Sequence, residues 1–172
     1  DTLTFDDVYY FCTLDLNGKT LALWSSDANM AYGISIYGYS HLTIQDSSPE
    51  KTGKISGTFS NVLGGRDAIL FYVTDSTLTL EGGTLTVDSN PYKTNAIVID
   101  SERSFLTIKD GVKLIQPNHF GNSGDSVETG AGYALYAKLD KGSTGKIIID
   151  GGEFDGWVKL TGSQAENGSG LI

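Results

Sequence analysis

The chain has one cysteine, one methionine, three prolines, two histidines and two arginines, Arg66 and Arg103. A single thiol, Cys12, excludes an internal disulfide. It sits in the apolar run VYYFCTL and is expected to be a buried thiol that packs like a small hydrophobe. The shortage of proline fits a chain that loses few ladder donors. With so few arginines and a formal net charge of −9, the chain lacks the clustered cations that phosphate binding needs, so no nucleic-acid partner is expected. The same balance disfavours anionic membrane surfaces. No apolar run approaches the ~20 residues that a spanning helix requires, so no membrane insertion is expected. There is no zinc-type Cys/His cluster and no phosphate-cradling glycine loop set between a strand and a helix. No signal peptide is visible.

What is present is glycine, 22 residues in 172, and a repeat. AILFYVTDSTLTLEGGTLTV (Ala68 to Val87) and AIVIDSERSFLTIKDGVKLI (Ala96 to Ile115) align without a gap at a period of 28 residues. Looser copies run from Gly33 to Ser48 and from Ala134 to Phe154. Within each copy apolar residues recur at every second position, which is a strand period. The segments are rich in Ile, Val, Leu, Thr and Tyr, which suit a pleated, half-buried surface. One such unit cannot bury its own apolar face, but stacked units can. The expected fold is all-β: a right-handed parallel β-helix (β-solenoid) of about five coils. A single domain over 1–160 is expected, with 1–24 as an N-terminal capping coil and 161–172 as a polar linker. A chain that starts at Asp1 without Met and closes on the polar stretch TGSQAENGSG before Leu171 and Ile172 is expected to be a piece of a longer protein with adjacent modules.

The columns follow from the alignment. Ile34, Ile36, Ile69, Phe71, Ile97, Ile99, Leu135 and Ala137 are expected to point inward from the first strand of each coil. Leu42, Ile44, Leu78, Leu80, Leu106, Ile108, Ile147 and Ile149 do so from the second. In the third strand Leu85 and Val87 look inward, but the gapless partner of Leu85 is Lys113, so a bulge or one-residue slip is expected there. Trp157 and Val158 are placed as closing the C-terminal end. Outward on the first strand lie Ser35, Tyr37, Tyr39, Leu70, Tyr72, Val98, Asp100, Tyr136 and Lys138. A row of tyrosines there suits stacking on sugar rings or packing on a partner.

TLDLNGKTL (Thr13 to Leu21), HLTIQDSS (His41 to Ser48), GKISG (Gly53 to Gly57), SFLTIKDG (Ser104 to Gly111) and KIIIDGGEFDG (Lys146 to Gly156) resemble the right-handed parallel β-helix repeats of the pectate-lyase-like superfamily. They are most similar to those in secreted or surface proteins of Gram-positive gut or rumen bacteria. The resemblance covers nearly the whole chain and implies a secreted or cell-surface location. That superfamily includes polysaccharide lyases and hydrolases, adhesins and structural modules, so fold does not choose among them. The chain departs from the catalytic patterns: its Asp-Asp pair, Asp6-Asp7, lies in the opening segment, there is no Gly-His-Gly, and Arg103 is followed by Ser104 and Phe105.

The recurring acidic turn residues Asp46, Glu81, Asp110 and Asp150 are expected to bond local backbone. Asp150, Glu153 and Asp155 crowd one short segment and are the candidates for an acid/base pair or for Ca²⁺, the one ion considered; otherwise no cofactor or metal is expected. His119, in the long segment 116–132 beside Phe120 and Asp125, is a weaker general-base candidate. The leading expectation is a non-catalytic binding or adhesion module that offers Tyr37, Tyr39, Tyr72 and Tyr136, rimmed by His119 and Phe120, to a polysaccharide or an extracellular protein. A carbohydrate-active enzyme using Asp150 to Asp155 is the alternative, and a structural spacer the third.

Overall fold

The computed structural model describes residues 3–5, 9–25, 31–59, 68–89, 94–116, 132–139 and 142–162. The described residues form strands and turns. In chain order β1 (Leu3–Phe5), β2 (Phe11–Asp15) and β3 (Thr20–Ser25) make a first coil. A second contains β4 (Ala31–Ile36), β5 (His41–Gln45) and β6 (Lys54–Phe59). The third is β7 (Ala68–Val73), β8 (Thr77–Leu80) and β9 (Gly83–Ser89). The fourth is β10 (Thr94–Asp100), β11 (Phe105–Lys109) and β12 (Val112–Ile115). The fifth is β13 (Tyr133–Lys138), β14 (Lys146–Asp150) and β15 (Glu153–Asp155), and β16 (Trp157–Thr161) begins a sixth.

Strands in equivalent positions stack into three parallel sheets, ordered β1-β4-β7-β10-β13-β16, β14-β11-β8-β5-β2 and β15-β12-β9-β6-β3. This is a parallel β-helix. The central inward columns are apolar in coil after coil. Leu42, Leu78, Leu106 and Ile147 stand in line in the second sheet, as do Ile55, Leu85 and Leu114 in the third, all fully buried. Burying one such side chain contributes ~1.5–3 kcal/mol, and no coil could do so alone.

The pairing shows why a gapless repeat is only part of the story. Phe71 pairs with Ile97, Leu78 with Leu106 and Leu85 with Leu114, offsets of 26, 28 and 29 residues. Only the middle strand keeps the 28-residue period. The slip expected beside Lys113 is real, and the extra residue sits in the Asp110–Gly111 turn, so Lys113 faces out while Val112 and Leu114 are buried. The first-strand shift corrects two placements. Leu70, expected outside, is fully buried in the core. Ile69, expected inside, is buried but lies outside the core cluster, in the column of Tyr32 and Asn95. The cause is a bend: two consecutive residues face the core in each coil, Leu70/Phe71, Ala96/Ile97 and Ala134/Leu135. The strand then reads out, in, in, out. β16 has one residue fewer there, which registers as an irregularity opposite Tyr133 and Leu135.

Among the described residues no further strand pairs beyond β1, β2 and β3 or beyond β16, β14 and β15. Cys12, expected to be buried, is exposed, because its column partner Leu42 covers it from one side only. Val158, expected to close the other end, is 42% exposed, and Trp157 is also exposed.

Candidate binding site

The outward face of the six-stranded sheet carries two aromatic groups. Tyr72 on β7 stacks on Tyr32 of β4 with centroids 4.9 Å apart and meets Tyr37 edge-on at 5.9 Å. Two strands further along, Tyr136 packs on Tyr133 at 5.6 Å, and the Lys159 ammonium lies 5.9 Å from the Tyr133 ring. Val98 pairs with both Tyr72 and Tyr136 and is buried between their strands, although its side chain is outward. Two strand spacings, about 9.6 Å, separate the tyrosine rows.

Beside Tyr72 the coils differ in length. From the paired residues Val73 and Ile99 to the paired residues Thr77 and Phe105, the third coil uses three residues and the fourth uses five. The longer corner stands proud and encloses an open hollow of about 470 Å³ lined by Thr74, Asp75, Asp100, Ser101, Glu102, Arg103, Gly142 and Thr144. Among the described residues that line it, none carries an aliphatic or aromatic side chain. The corner is held by its own hydrogen bonds: Ser101 donates its hydroxyl to Asp75, the Arg103 Nε donates to Asp75 at 3.3 Å, and Thr74 donates to the Asp100 carbonyl at 3.1 Å. Ser143 donates to the Glu102 carbonyl at 2.6 Å. The Arg103 guanidinium also lies 5.3 Å from the Tyr39 ring.

The Tyr72 hydroxyl donates to the Asp100 carboxylate at 3.3 Å, which joins the aromatic face to the hollow. Burial, reinforced by the Asp100 charge, pushes the Tyr72 phenol up to about 12. At neutral pH it is therefore a donor, held at the rim with its ring partly accessible.

Of the residues expected to form the site, Tyr37 and Tyr72 come together and Tyr136 lies on the same face. Tyr39 does not belong to the strand: β4 ends at Ile36, and Tyr39 sits in the corner at φ 64°, stacked on Tyr9 at 6.2 Å. His119 and Phe120 lie outside the described residues. Asp150 ends β14, Glu153 begins and Asp155 ends β15, and Glu153 forms an ion pair with Lys113 at 2.9 Å. No group of three or more His, Cys, Asp or Glu side chains suited to a metal ion occurs among the described residues. His41 faces outward, half-buried, with Phe11 stacked on it at 4.4 Å. Sequence reasoning passed over Tyr32, Tyr133, Glu102 and Arg103. The unequal corner lengths were the available signal for the last two, and the out-in-in-out bend for the first two.

No family model matches the sequence, and neither the curated proteins nor the solved structures provide a match.

Proposed function

We propose that this chain is a non-catalytic binding module of a secreted or surface-attached bacterial protein, and that its ligand is a glycan. The bacterial, extracellular setting rests on the resemblance of the repeats. The observation that carries the binding role is the junction of Tyr72 and Asp100: an aromatic ring on a β-face whose hydroxyl bonds a carboxylate at the lip of a hollow lined by charged and hydroxyl-bearing residues. Neutral carbohydrates present apolar ring faces and rims of hydroxyls. Tyrosines suit the first, and the carboxylates, hydroxyls and guanidinium of the hollow suit the second. Among the described lining residues Asp75, Asp100 and Glu102 outnumber Arg103, which favours neutral glycans over uronic-acid polymers.

Retention on insoluble neutral polysaccharides (cellulose, xylan, β-glucan), with a uronic-acid polymer as contrast, tests the proposal. Tyr72→Ala and Tyr136→Ala are each expected to weaken retention about tenfold, or ~1.4 kcal/mol. Unchanged retention in both variants, or no retention of the parent chain, removes the glycan role. Release of soluble sugar that disappears in Asp150→Ala would instead place the chain among carbohydrate-active enzymes.

A further inference from the structure

Given the glycan-binding role, on which this rests, we propose that Arg103 selects the glycan. Its guanidinium takes a pair of adjacent free equatorial hydroxyls, so the hollow accepts β-1,4-linked glycans and discriminates against β-1,3-linked ones.

The guanidinium is held before any ligand arrives. It lies 5.3 Å from the Tyr39 ring, within the range of a cation–π contact, and its Nε donates to Asp75 at 3.3 Å. Those two holders are themselves joined, because the Tyr39 N–H donates to the Asp75 carbonyl at 2.8 Å. The Arg103 backbone N–H donates to the Ser101 hydroxyl at 3.2 Å, so the main chain is anchored as well. Nε is thus taken, while among the described residues neither terminal amino group makes a hydrogen bond. The side chain is 56% exposed and lines the hollow. A planar fork fixed in this way donates two side-by-side hydrogen bonds with little further loss of freedom.

The surroundings choose the acceptor. A carboxylate or phosphate matches such a fork, but Asp75 already offsets the Arg103 charge, and Asp100 and Glu102 line the same hollow. Neutral oxygens meet no such repulsion. Two adjacent equatorial hydroxyls present their oxygens side by side to the fork, and their protons then need acceptors. Glu102 supplies one: its carbonyl is fixed by the N–H groups of Thr144 and Gly145, each at 2.8 Å, and no hydrogen bond among the described residues ends on its carboxylate. Asp100, which already accepts from Tyr72, joins this edge recognition to the aromatic face.

Linkage decides which glycans carry the pair. In a β-1,4-linked glucan or xylan each internal residue keeps its 2- and 3-hydroxyls free. In a β-1,3-linked glucan the 3-oxygen lies in the glycosidic bond, so no internal residue keeps two adjacent free hydroxyls. Stacking on Tyr72 does not distinguish the two polymers, whereas Arg103 does.

Binding isotherms on amorphous cellulose and on insoluble β-1,3-glucan, two polymers of the same sugar, test this. The parent chain is expected to bind cellulose about tenfold more tightly, the effect of losing a charge-assisted hydrogen bond. Arg103→Lys, which keeps the charge and loses the fork, is expected to bring cellulose binding down to the parent's level on β-1,3-glucan and to leave β-1,3-glucan binding unchanged. Tyr39→Phe is expected to discriminate as the parent does and Tyr39→Leu to discriminate less; equal behaviour of these two overturns the positioning role of the Tyr39 ring. Equal binding of the parent to both glucans, or undiminished cellulose binding by Arg103→Lys, overturns the selection by Arg103 and leaves the glycan role standing. A parent chain retained on neither glucan also overturns it, and if xylan fails as well the glycan role itself is removed.

Discussion

The Asp46 carboxylate lies 2.6 Å from the backbone nitrogen of Gly53 and 2.8 Å from that of Gly18, so one side chain fastens the corner of the second coil to that of the first. Ser48 adds its own N–H at 3.2 Å and its hydroxyl at 2.8 Å. Replacing Asp46 with alanine leaves these donors without their acceptor in a corner where Gly53 and Ser48 are buried. The expected cost is about 2–4 kcal/mol, seen as a lower urea midpoint. Gly53 is fitted to the same clamp: a Cβ there would lie 2.6 Å from both the Asp46 Cγ and the Leu16 Cβ. Gly53→Ala should therefore destabilise comparably, and in the Asp46→Ala background it should add less than in the parent.

Acid should loosen this clamp. Burial is the largest single influence on Asp46 and pushes its pKa up, but the hydrogen bonds from Gly18, Ser48 and Gly53 together outweigh it and hold the carboxyl below its ordinary value. Asp15 is held low as well, chiefly by bonds from Ser47. A carboxylate depressed in the folded state contributes stability above its unfolded pKa, about 4, and loses it as pH falls through the folded value. Urea midpoints should therefore decline below about pH 4. Asp46→Asn should lower the midpoint at neutral pH and flatten the acid decline; an equal decline in parent and variant would show that Asp46 does not carry it.

The repeat was legible because stacking demands similarity: Leu78, Leu106 and Ile147 occupy one column, and their neighbours repeat around them. The same similarity misled at the edges of the period. A gapless alignment sets Ile69 against Ile97, whereas the fold sets Phe71 there, because two residues are added at the corner that follows. The inward Leu70 was hidden by the assumption of strict alternation, which the bend at Leu70 and Phe71 breaks. The tyrosine face was half legible for the same reason. Tyr72 and Tyr136 fall on outward positions under either pattern, while Tyr32 and Tyr133 are recognised only with the bend in place. The hollow could not be read from composition, since it exists only where corners of unequal length lie side by side.

Tyr72 gives a spectroscopic test of the junction at the candidate site. Its phenol is pushed up to about 12, first by burial and then by Asp100. Phenolate absorbance should show a late-titrating step that is lost in Tyr72→Phe. Asp100→Asn should bring it down while leaving it above an ordinary tyrosine, because burial persists. The sign for stability is opposite to that of Asp46. An acid whose folded pKa is raised contributes stability below its unfolded pKa of about 10 and loses it as pH rises towards the folded value. Thermal midpoints should fall more steeply across that alkaline window in the parent than in Tyr72→Phe.

Leu70 tests the corrected inward placement. Its Cδ1 would lie 3.0 Å from a Cβ at Gly33 and 2.9 Å from one at Gly57, so the side chain fills the space that these glycines leave. An outward leucine on a half-buried face would tolerate alanine with a loss below about 1 kcal/mol. A core leucine should lose about 2–5 kcal/mol through transfer and cavity. The urea midpoint of Leu70→Ala separates the two cases, and a small loss would return Leu70 to the surface.

The buried serines at the first corner give a prediction of the opposite sign. Ser76 and Ser104 stand in successive coils, and their carbonyls accept the backbone N–H of Phe105 at 2.9 Å and of Lys146 at 3.1 Å. Their backbones are thus part of the stack, yet their hydroxyls are buried without a hydrogen-bond partner among the described residues. A buried hydroxyl left unpaired costs free energy that alanine does not. Ser104→Ala keeps the carbonyl and a side chain small enough for the corner while removing the unpaired group. It should leave stability unchanged or raise it by up to about 1 kcal/mol. A loss of more than that in the urea midpoint would mean that the Ser104 hydroxyl is satisfied in solution, by an ordered water or a rotated neighbour, and that the corner is wetter than its packing indicates.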